Sequence, residues 1–240
     1  MIKMSMLLRR RPDLSTDEFE SAWHCVHDIS PERIASDAPG LIQRAYNRPF
    51  GHEMPIANAP AALFDAIEEI WFDDVSAART YLASDLYLNE VRPAQIDLLR
   101  GGNCATIIGE VHVMWHRPPA PKADAVKLII LPVRRPGMSH PEFREYWMHH
   151  HSPLAMAGPN ARDRVQRVEF TPAEPIVDVG FTMAPFEGSG AIWFDSTEDL
   201  HAEFSSDYYR EILQPDEVNF TDPTRSKGMM VNELVLWNDS

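Results

Sequence analysis

The chain has 240 residues, and its 44% hydrophobic content is ordinary for a soluble globular protein. This length allows one large core or two domains of about 120 residues. The formal net charge of −14 argues against nucleic-acid partners, which usually require a basic face, and against anionic membranes. Cys25 and Cys104 are too few for a disulfide framework, and no apolar run approaches a membrane span, so we expect a cytoplasmic protein.

The first half of the chain predicts the element order βαββαβ. Short apolar segments predict strands at about residues 1–9, 41–47, 68–72 and 105–115. Ser15 lies three residues before Glu18, which is the capping-box pattern of a helix start, and this helix is expected to run to about residue 27. A second helix is expected from about residue 75 until Pro93 ends it. Residues 28–40 and 48–62 are expected to be irregular.

The second half repeats the first. Four residues of the first half recur 124 positions later: Arg11, Phe19, Trp23 and His27 correspond to Arg135, Phe143, Trp147 and His151. The spacing falls to 122 at the third strand, so the second copy is two residues shorter somewhere between the helix and that strand. The predicted strands are 126–133, 165–170, 191–195 and 229–237, and the predicted helices are 139–151, ended by Pro153, and the segment from Ser196 to Pro215.

This order is typical of an α+β ferredoxin-like sandwich with helices on one face of an antiparallel sheet. We therefore expect a first unit at 1–115, a proline-rich linker at 116–124 and a second unit at 125–240. Consecutive apolar residues such as Ile70, Trp71 and Phe72 require cover on both sheet faces. Packing the two sheets against each other in a barrel-like core would provide that cover.

One stretch of the second unit carries a family resemblance. From Arg134 to Leu154 the sequence reads Arg-Arg-Pro-x-Met-Ser-x-x-Glu-Phe-x-x-x-Trp-x-x-x-His-Ser-Pro-Leu, which resembles the EthD-type branch of the dimeric α+β barrel superfamily. The resemblance implies two ferredoxin-like βαββαβ units forming an intramolecular dimeric α+β barrel. The family histidine corresponds to His151 and, through the repeat, to His27. The first copy departs from the pattern because Asp28-Ile29 replaces Ser-Pro.

The resemblance also implies a function. Relatives act in decarboxylation or dehydration of polyketide-type aromatics, and the superfamily includes haem proteins, cofactor-free monooxygenases and isomerases. We expect a cofactor-free lyase (decarboxylase or dehydratase) or an isomerase acting on a small apolar, aromatic or polyketide-like molecule. The alternatives are a non-enzymatic binder of a hydrophobic metabolite or haem, and a cofactor-free monooxygenase.

Two histidines are the expected acid–base groups, because imidazole exchanges protons near neutral pH. These are His151, and His27 as an assisting or second site; the competing interpretation is that such a histidine caps its helix. The expected substrate-binding residues are Trp147, Tyr146, Trp23 and Glu233. Both tryptophans are equally compatible with core packing.

We expect no metal and no cofactor. His149, His150 and His151 are adjacent on a helix, so their side chains diverge by about 100° and cannot share one ion. The sequence contains neither a glycine-rich phosphate loop nor a paired-cysteine motif. The expected partner is a small hydrophobic substrate, and a homodimer of the tandem unit remains open.

Overall fold

The computed structural model describes residues 1–50, 64–118 and 125–238. Within these residues the strands are β1 Ile2–Leu8, β2 Leu41–Pro49, β3 Ala66–Phe72, β4 Ala105–Glu110, β5 His112–His116, β6 Val126–Leu131, β7 Val165–Pro172, β8 Thr182–Met183, β9 Gly188–Phe194 and β10 Lys227–Asn238. The helices are α1 Thr16–Val26, α2 Pro31–Asp37, α3 Val75–Ala83, α4 Arg92–Leu98, α5 His140–Tyr146, α6 Ser152–Ala155, α7 Ala161–Arg164, α8 Thr197–Phe204 and α9 Gln214–Glu217. None of the described helices is both long and apolar enough to cross a membrane.

The predicted α+β fold is confirmed as two ferredoxin-like units that close one barrel. The sheet order is β5-β7-β9-β6-β10-β2-β3-β1-β4-β8, with antiparallel pairing everywhere except between β4 and β8. Strand β10 pairs with β6 of its own unit and then with β2 of the first unit. The predicted strand at 105–115 breaks at Val111, and its second part, β5, pairs with β7 of the second unit. Each unit therefore ends in a strand segment that joins the other unit.

Strand pairing locates the length difference between the copies. Tyr46 pairs with Glu68 in the first unit, and Phe170 pairs with Gly190 in the second. The spacing is thus still 124 at β7 and becomes 122 by β9, so the two missing residues belong to the loop between these strands. The proposed unit boundary at residue 115 rests on the sequence, and residues 119–124 of the expected linker lie outside the described part, as do residues 51–63.

Three prolines were expected to end helices, and this expectation is wrong. Pro93, Pro153 and Pro215 each lie in the first turn of a further helical segment, α4, α6 and α9. A proline is tolerated there because its missing N–H would have no helical partner. A π-helical turn precedes each one, and these turns are Tyr87–Val91, Trp147–His151 and Tyr209–Leu213. Helix α2, capped by Ser30, also replaces part of the expected irregular stretch at 28–40.

Both faces of the sheet are buried. The sequence predicts this, because consecutive strand residues point to opposite faces and both sets are apolar. Every residue of β1 and of β3 is buried. The even residues of β1, such as Met4 and Met6, pack with Phe19 and Trp23 of α1 on the outer face. On the inner face, Leu7 packs in a cluster with residues of both units, including Ile129.

The barrel interior also holds a buried ion-pair network. Glu69 accepts a hydrogen bond from Lys127 and lies 2.9 Å from Lys3, so it joins the first strands of the two units. Lys127 also contacts Glu233 at 2.6 Å, and Lys3 contacts Glu169 at 3.4 Å. Burial by itself would raise the pKa of Glu69, but the two lysines outweigh burial and lower the pKa to about 2.

Breaking this network should be costly, because each remaining lysine would keep a buried charge with fewer partners. We expect Glu69→Gln to lower the free energy of unfolding by about 3–5 kcal/mol, measured by urea denaturation. Asp207→Asn is the control, since Asp207 pairs with Arg210 on the exposed surface and should cost less than about 1 kcal/mol. Equal effects of the two substitutions would contradict a structural role for the interior network.

Candidate active site

The helix that carries the family histidine begins as the sequence predicts and then changes its winding. Ser139 and Glu142 form the predicted capping box at the start of α5. After Tyr146 the chain forms the π-helical turn Trp147–His151, whereas in the first unit Trp23 belongs to the regular helix α1 and His27 is the residue that ends it. Single π turns of this kind are frequent at functional sites.

A largely apolar cavity of about 120 Å³ lies between the outer face of the second unit's sheet and its helices. Trp147, Phe220 and Ile192 contribute apolar surface, and His151 lines the same space. The Trp147 ring is stacked on Phe170 with 4.8 Å between centroids, which fixes its orientation. A cavity of this size class accommodates a single benzene-sized ring.

The cavity exists because the second unit has a glycine where the first has a glutamate. Glu68 pairs with Met6 across β3 and β1, and Gly190 pairs with Ile130 across β9 and β6, which is the equivalent position. A Cβ atom on Gly190 would lie 2.9 Å from Cζ2 of Trp147. Only a residue without a side chain therefore leaves the indole in its place.

The first unit fills the same space with an ion pair. Glu68 accepts a hydrogen bond from Nε1 of Trp23 at 3.1 Å and another from Arg44. Arg44 and Glu68 are almost completely buried, at 2% and 0% exposure. Strand register gives Val168 as the counterpart of Arg44.

His151 is held by a carboxylate. Its Nδ1 lies 2.9 Å from Oδ2 of Asp216, and the hydroxyl of Tyr146 donates to Oδ1 of Asp216 at 2.5 Å. Burial would raise the pKa of Asp216, but the hydrogen bonds from His151 and Tyr146 prevail and lower it to about 2. An ionised carboxylate only accepts hydrogen bonds, so Nδ1 carries the proton and Nε2 is the nitrogen with a free lone pair. Among the described residues, Nε2 has no hydrogen-bond partner.

A second carboxyl group, Glu217, lines the cavity. It receives one hydrogen bond, from the hydroxyl of Tyr209 at 3.1 Å. Burial raises the pKa of Glu217 to about 7, and the neighbouring charge of Asp216 acts in the same direction. The site thus contains a carboxylate-oriented histidine and a carboxyl group that retains its proton near neutral pH.

His27 occupies a different environment from His151. Its Nδ1 bonds the carbonyl of Trp23 at 2.7 Å, and its Nε2 lies 2.9 Å from Nε2 of Gln95. Burial is the main cause that lowers the pKa of His27 to about 3, so its ring is neutral. Both nitrogens are engaged and the side chain is buried, which leaves His27 without access to a substrate in this conformation.

The other predicted site residues divide between the cavity and the packing. Trp147 lines the cavity. Tyr146 donates a hydrogen bond to Asp216, the carboxylate that holds His151. Trp23 is buried in the first unit's core. Glu233 lies in the barrel network, where it accepts a hydrogen bond from Nε1 of Trp193 at 3.0 Å, so the structure does not bring it to the cavity. His149 and His150 are exposed.

Sequence reasoning missed Gly190, Asp216 and Glu217. The signal was available in the repeat, because these positions hold Glu68, Ala94 and Gln95 in the first copy. The positions at which the two copies differ lie at the candidate site, whereas the positions at which they agree belong to the shared scaffold.

Comparison with known families finds a match in the second half of the chain. Residues 135–224 match the EthD domain. The matched residues all lie in the second unit, which is therefore similar to an EthD domain. The match includes the whole cavity-forming helix region, from the capping box of α5 to Phe220 at the cavity wall. Among curated proteins, none matches the chain in sequence.

Solved structures share the fold over almost the entire chain. A candidate monooxygenase from Fusobacterium nucleatum is similar with a TM-score of 0.60 and 9% identity, covering 100% of this chain and 94% of that one. An anthrone oxidase-like protein gives 0.58 and 8%, covering 100% and 94%. A candidate chlorite dismutase gives 0.53 and 12%, covering 96% and 94%. At these identities the likeness establishes the dimeric α+β barrel fold and nothing finer.

Haem has to be considered as a ligand, because the superfamily that the sequence resembles includes haem proteins. The residues of the second unit do not fit haem, because a cavity of about 120 Å³ is far smaller than a porphyrin. The histidine that lines the cavity is already bonded through Nδ1 to Asp216, and Trp147 covers the sheet behind it.

The raised pKa of Glu217 predicts a measurable pH dependence of stability. The folded state holds the Glu217 proton up to about pH 7, whereas the unfolded chain releases it near 4.5, so this group destabilises the fold as pH rises between these values. The free energy of unfolding of Glu217→Gln minus that of the parent protein should therefore increase by about 3 kcal/mol between pH 4 and pH 8. Urea denaturation at both pH values measures this change. A relative stability that does not vary with pH would contradict the assignment.

Proposed function

We propose that the protein is a cofactor-free enzyme that catalyses proton transfer on a small ring compound in the cavity of its EthD domain. The reaction class is that of a lyase (decarboxylase or dehydratase) or an isomerase. The observation that carries the proposal is the His151–Asp216 pair beside an apolar cavity.

The pair has the geometry of an activated general base. Asp216 accepts the Nδ1 proton of His151 and so leaves Nε2 to take a proton from the substrate. Asp216 then stabilises the imidazolium that forms, as carboxylates do in other oriented histidine pairs. Tyr146 holds the carboxylate in place through its 2.5 Å hydrogen bond. In the first unit Ala94 stands at the position of Asp216, so that position offers His27 no carboxylate.

The cavity supports a small aromatic substrate. Its volume of about 120 Å³ suits one ring, and Trp147 and Phe220 offer aromatic surfaces to it. The Phe220 ring also lies 4.8 Å from the ring of His151, so a bound ring would sit beside the base. Polyketide-type molecules with one ring and an oxygen substituent fit this description.

A cofactor-free monooxygenase is the second candidate. The structures of similar fold include candidate monooxygenases and an anthrone oxidase-like protein. The same base would deprotonate an activated phenol or enol, and the resulting anion would react with O₂. Oxygen consumption that is stoichiometric with product would favour this candidate over the lyase, which needs no oxygen. A non-enzymatic binder would instead hold the ring compound without turning it over.

His151→Ala tests the proposed base. A panel of single-ring β-hydroxy ketones and β-keto acids is assayed for loss of water or CO₂, and the turned-over compound is used for the variants. We expect His151→Ala to lower kcat by roughly 10²–10⁴-fold with little change in stability.

His149→Ala is the matched control, since His149 lies two residues away and is exposed, and its activity should equal that of the parent protein. Full activity of His151→Ala would refute the assignment of the base.

A further inference from the structure

Glu217 and Asp216 are adjacent in α9 but face different surroundings. The carboxylate of Asp216 accepts hydrogen bonds from His151 and Tyr146. Glu217 lines the cavity, and in the described ranges the hydrogen bond from Tyr209 is the only one that its carboxyl group accepts. Within the described residues, its second oxygen has no hydrogen-bond partner and so remains available to a bound molecule.

The charges around Glu217 favour its neutral form. The titratable groups that lie next to it or line the same cavity are Asp216, Tyr209 of the preceding π-helical turn, His151, Glu169 of β7, Glu203 of α8 and Lys227 of β10. Glu203 is already paired with Arg164 at 3.1 Å. In the described part of the chain no cation forms a salt bridge with Glu217, so nothing offsets the cost of burying its charge. A protonated carboxyl group can donate a hydrogen bond, which a carboxylate cannot do.

We propose that Glu217 is the acid that complements His151, and that the substrate carries an oxygen acceptor next to its ring. This inference rests on the proposed function and narrows it to dehydration of a ring-substituted β-hydroxy carbonyl compound. His151 and Glu217 both line one cavity of single-ring size, and the proposed substrate would contact the two groups at once.

The proposed step is balanced without a redox partner. Nε2 of His151 takes the proton from the carbon next to the carbonyl group, and the electron pair of that C–H bond forms the new C=C bond. The C–O bond to the β-hydroxyl group breaks at the same time. Glu217 gives its proton to the departing oxygen, so water rather than hydroxide leaves. The proton on His151 then returns to Glu217 through solvent.

The first unit supplies the conservative replacement for this residue. Gln95 stands at the position of Glu217 and is fully buried there, so the fold accepts glutamine at this point. Glu217→Gln keeps the shape of the side chain but removes the transferable proton. It also removes the titration, because an amide does not ionise in this range.

A pair of shape-matched ligands tests the donor role independently of turnover. Acetophenone has an oxygen that only accepts hydrogen bonds, and ethylbenzene has the same ring without that oxygen. Their affinities are measured by calorimetry at about pH 5.5 and about pH 8.5, on either side of the pKa of about 7. In the parent protein, acetophenone should bind about tenfold more weakly at the higher pH, whereas ethylbenzene should not change. In Glu217→Gln neither ligand should change.

The outcomes separate this inference from the function on which it rests. Acetophenone affinity that keeps its pH dependence in Glu217→Gln would overturn the role of Glu217. So would Glu217→Gln with unaltered kcat and pH profile while His151→Ala is inactive, which would leave the proposed base standing. We expect Glu217→Gln to lose roughly 10²-fold in kcat. If neither ligand binds the parent protein, the cavity does not take a ring, and the proposed function itself fails.

Discussion

The carboxylate of Glu69, held between Lys3 and Lys127, is the interaction on which the rest of the structure depends. It connects the first strands of the two units at a point where all three side chains are fully buried. Charges in such a place are tolerated only when all partners are present, which happens only in the closed barrel. The inner face of the sheet is consequently occupied by paired charges and apolar side chains, so the space for chemistry lies on the outer face, beneath the helices.

On that outer face, few substitutions separate a packed core from a cavity. Gly190 replaces Glu68 and Val168 replaces Arg44, and together they remove an ion pair and make room beside Trp147. Asp216, in place of Ala94, then gives the histidine a partner. The helix start, the tryptophan and the histidine are the same in both units, so the scaffold does not distinguish a reactive histidine from a structural one. The neighbours of the ring make that distinction.

The sequence predicted the fold better than the site. Capping residues and hydrophobic periodicity gave the βαββαβ order, and the repeat gave the barrel. The prolines were wrongly predicted to end helices, because the sequence does not reveal the π-helical turns. Such a turn allows a new helical segment to begin at Pro93 or Pro153. Glu233 was predicted to bind substrate, but the sequence of β10 does not show which of its side chains face the barrel interior, and Glu233 lies in the ion-pair network there. Asp216 and Glu217 follow Pro215, in a segment that was assigned only as a helix end.

The network around Glu69 also has a consequence for how such a protein evolves. Two equivalent lysines share one glutamate, whose counterpart in the second copy is Ala191. In an assembly of two identical chains, a single carboxylate off the symmetry axis is impossible, because every group occurs twice. Joining the copies in one polypeptide removes that restriction, and each half can then accumulate changes that would be harmful if duplicated. A symmetric ancestor with Glu68 in both halves would have no cavity, and one with glycine at that position in both halves would lack the Glu68–Arg44 ion pair. Fusion permits one half to specialise in holding the barrel together while the other specialises in chemistry.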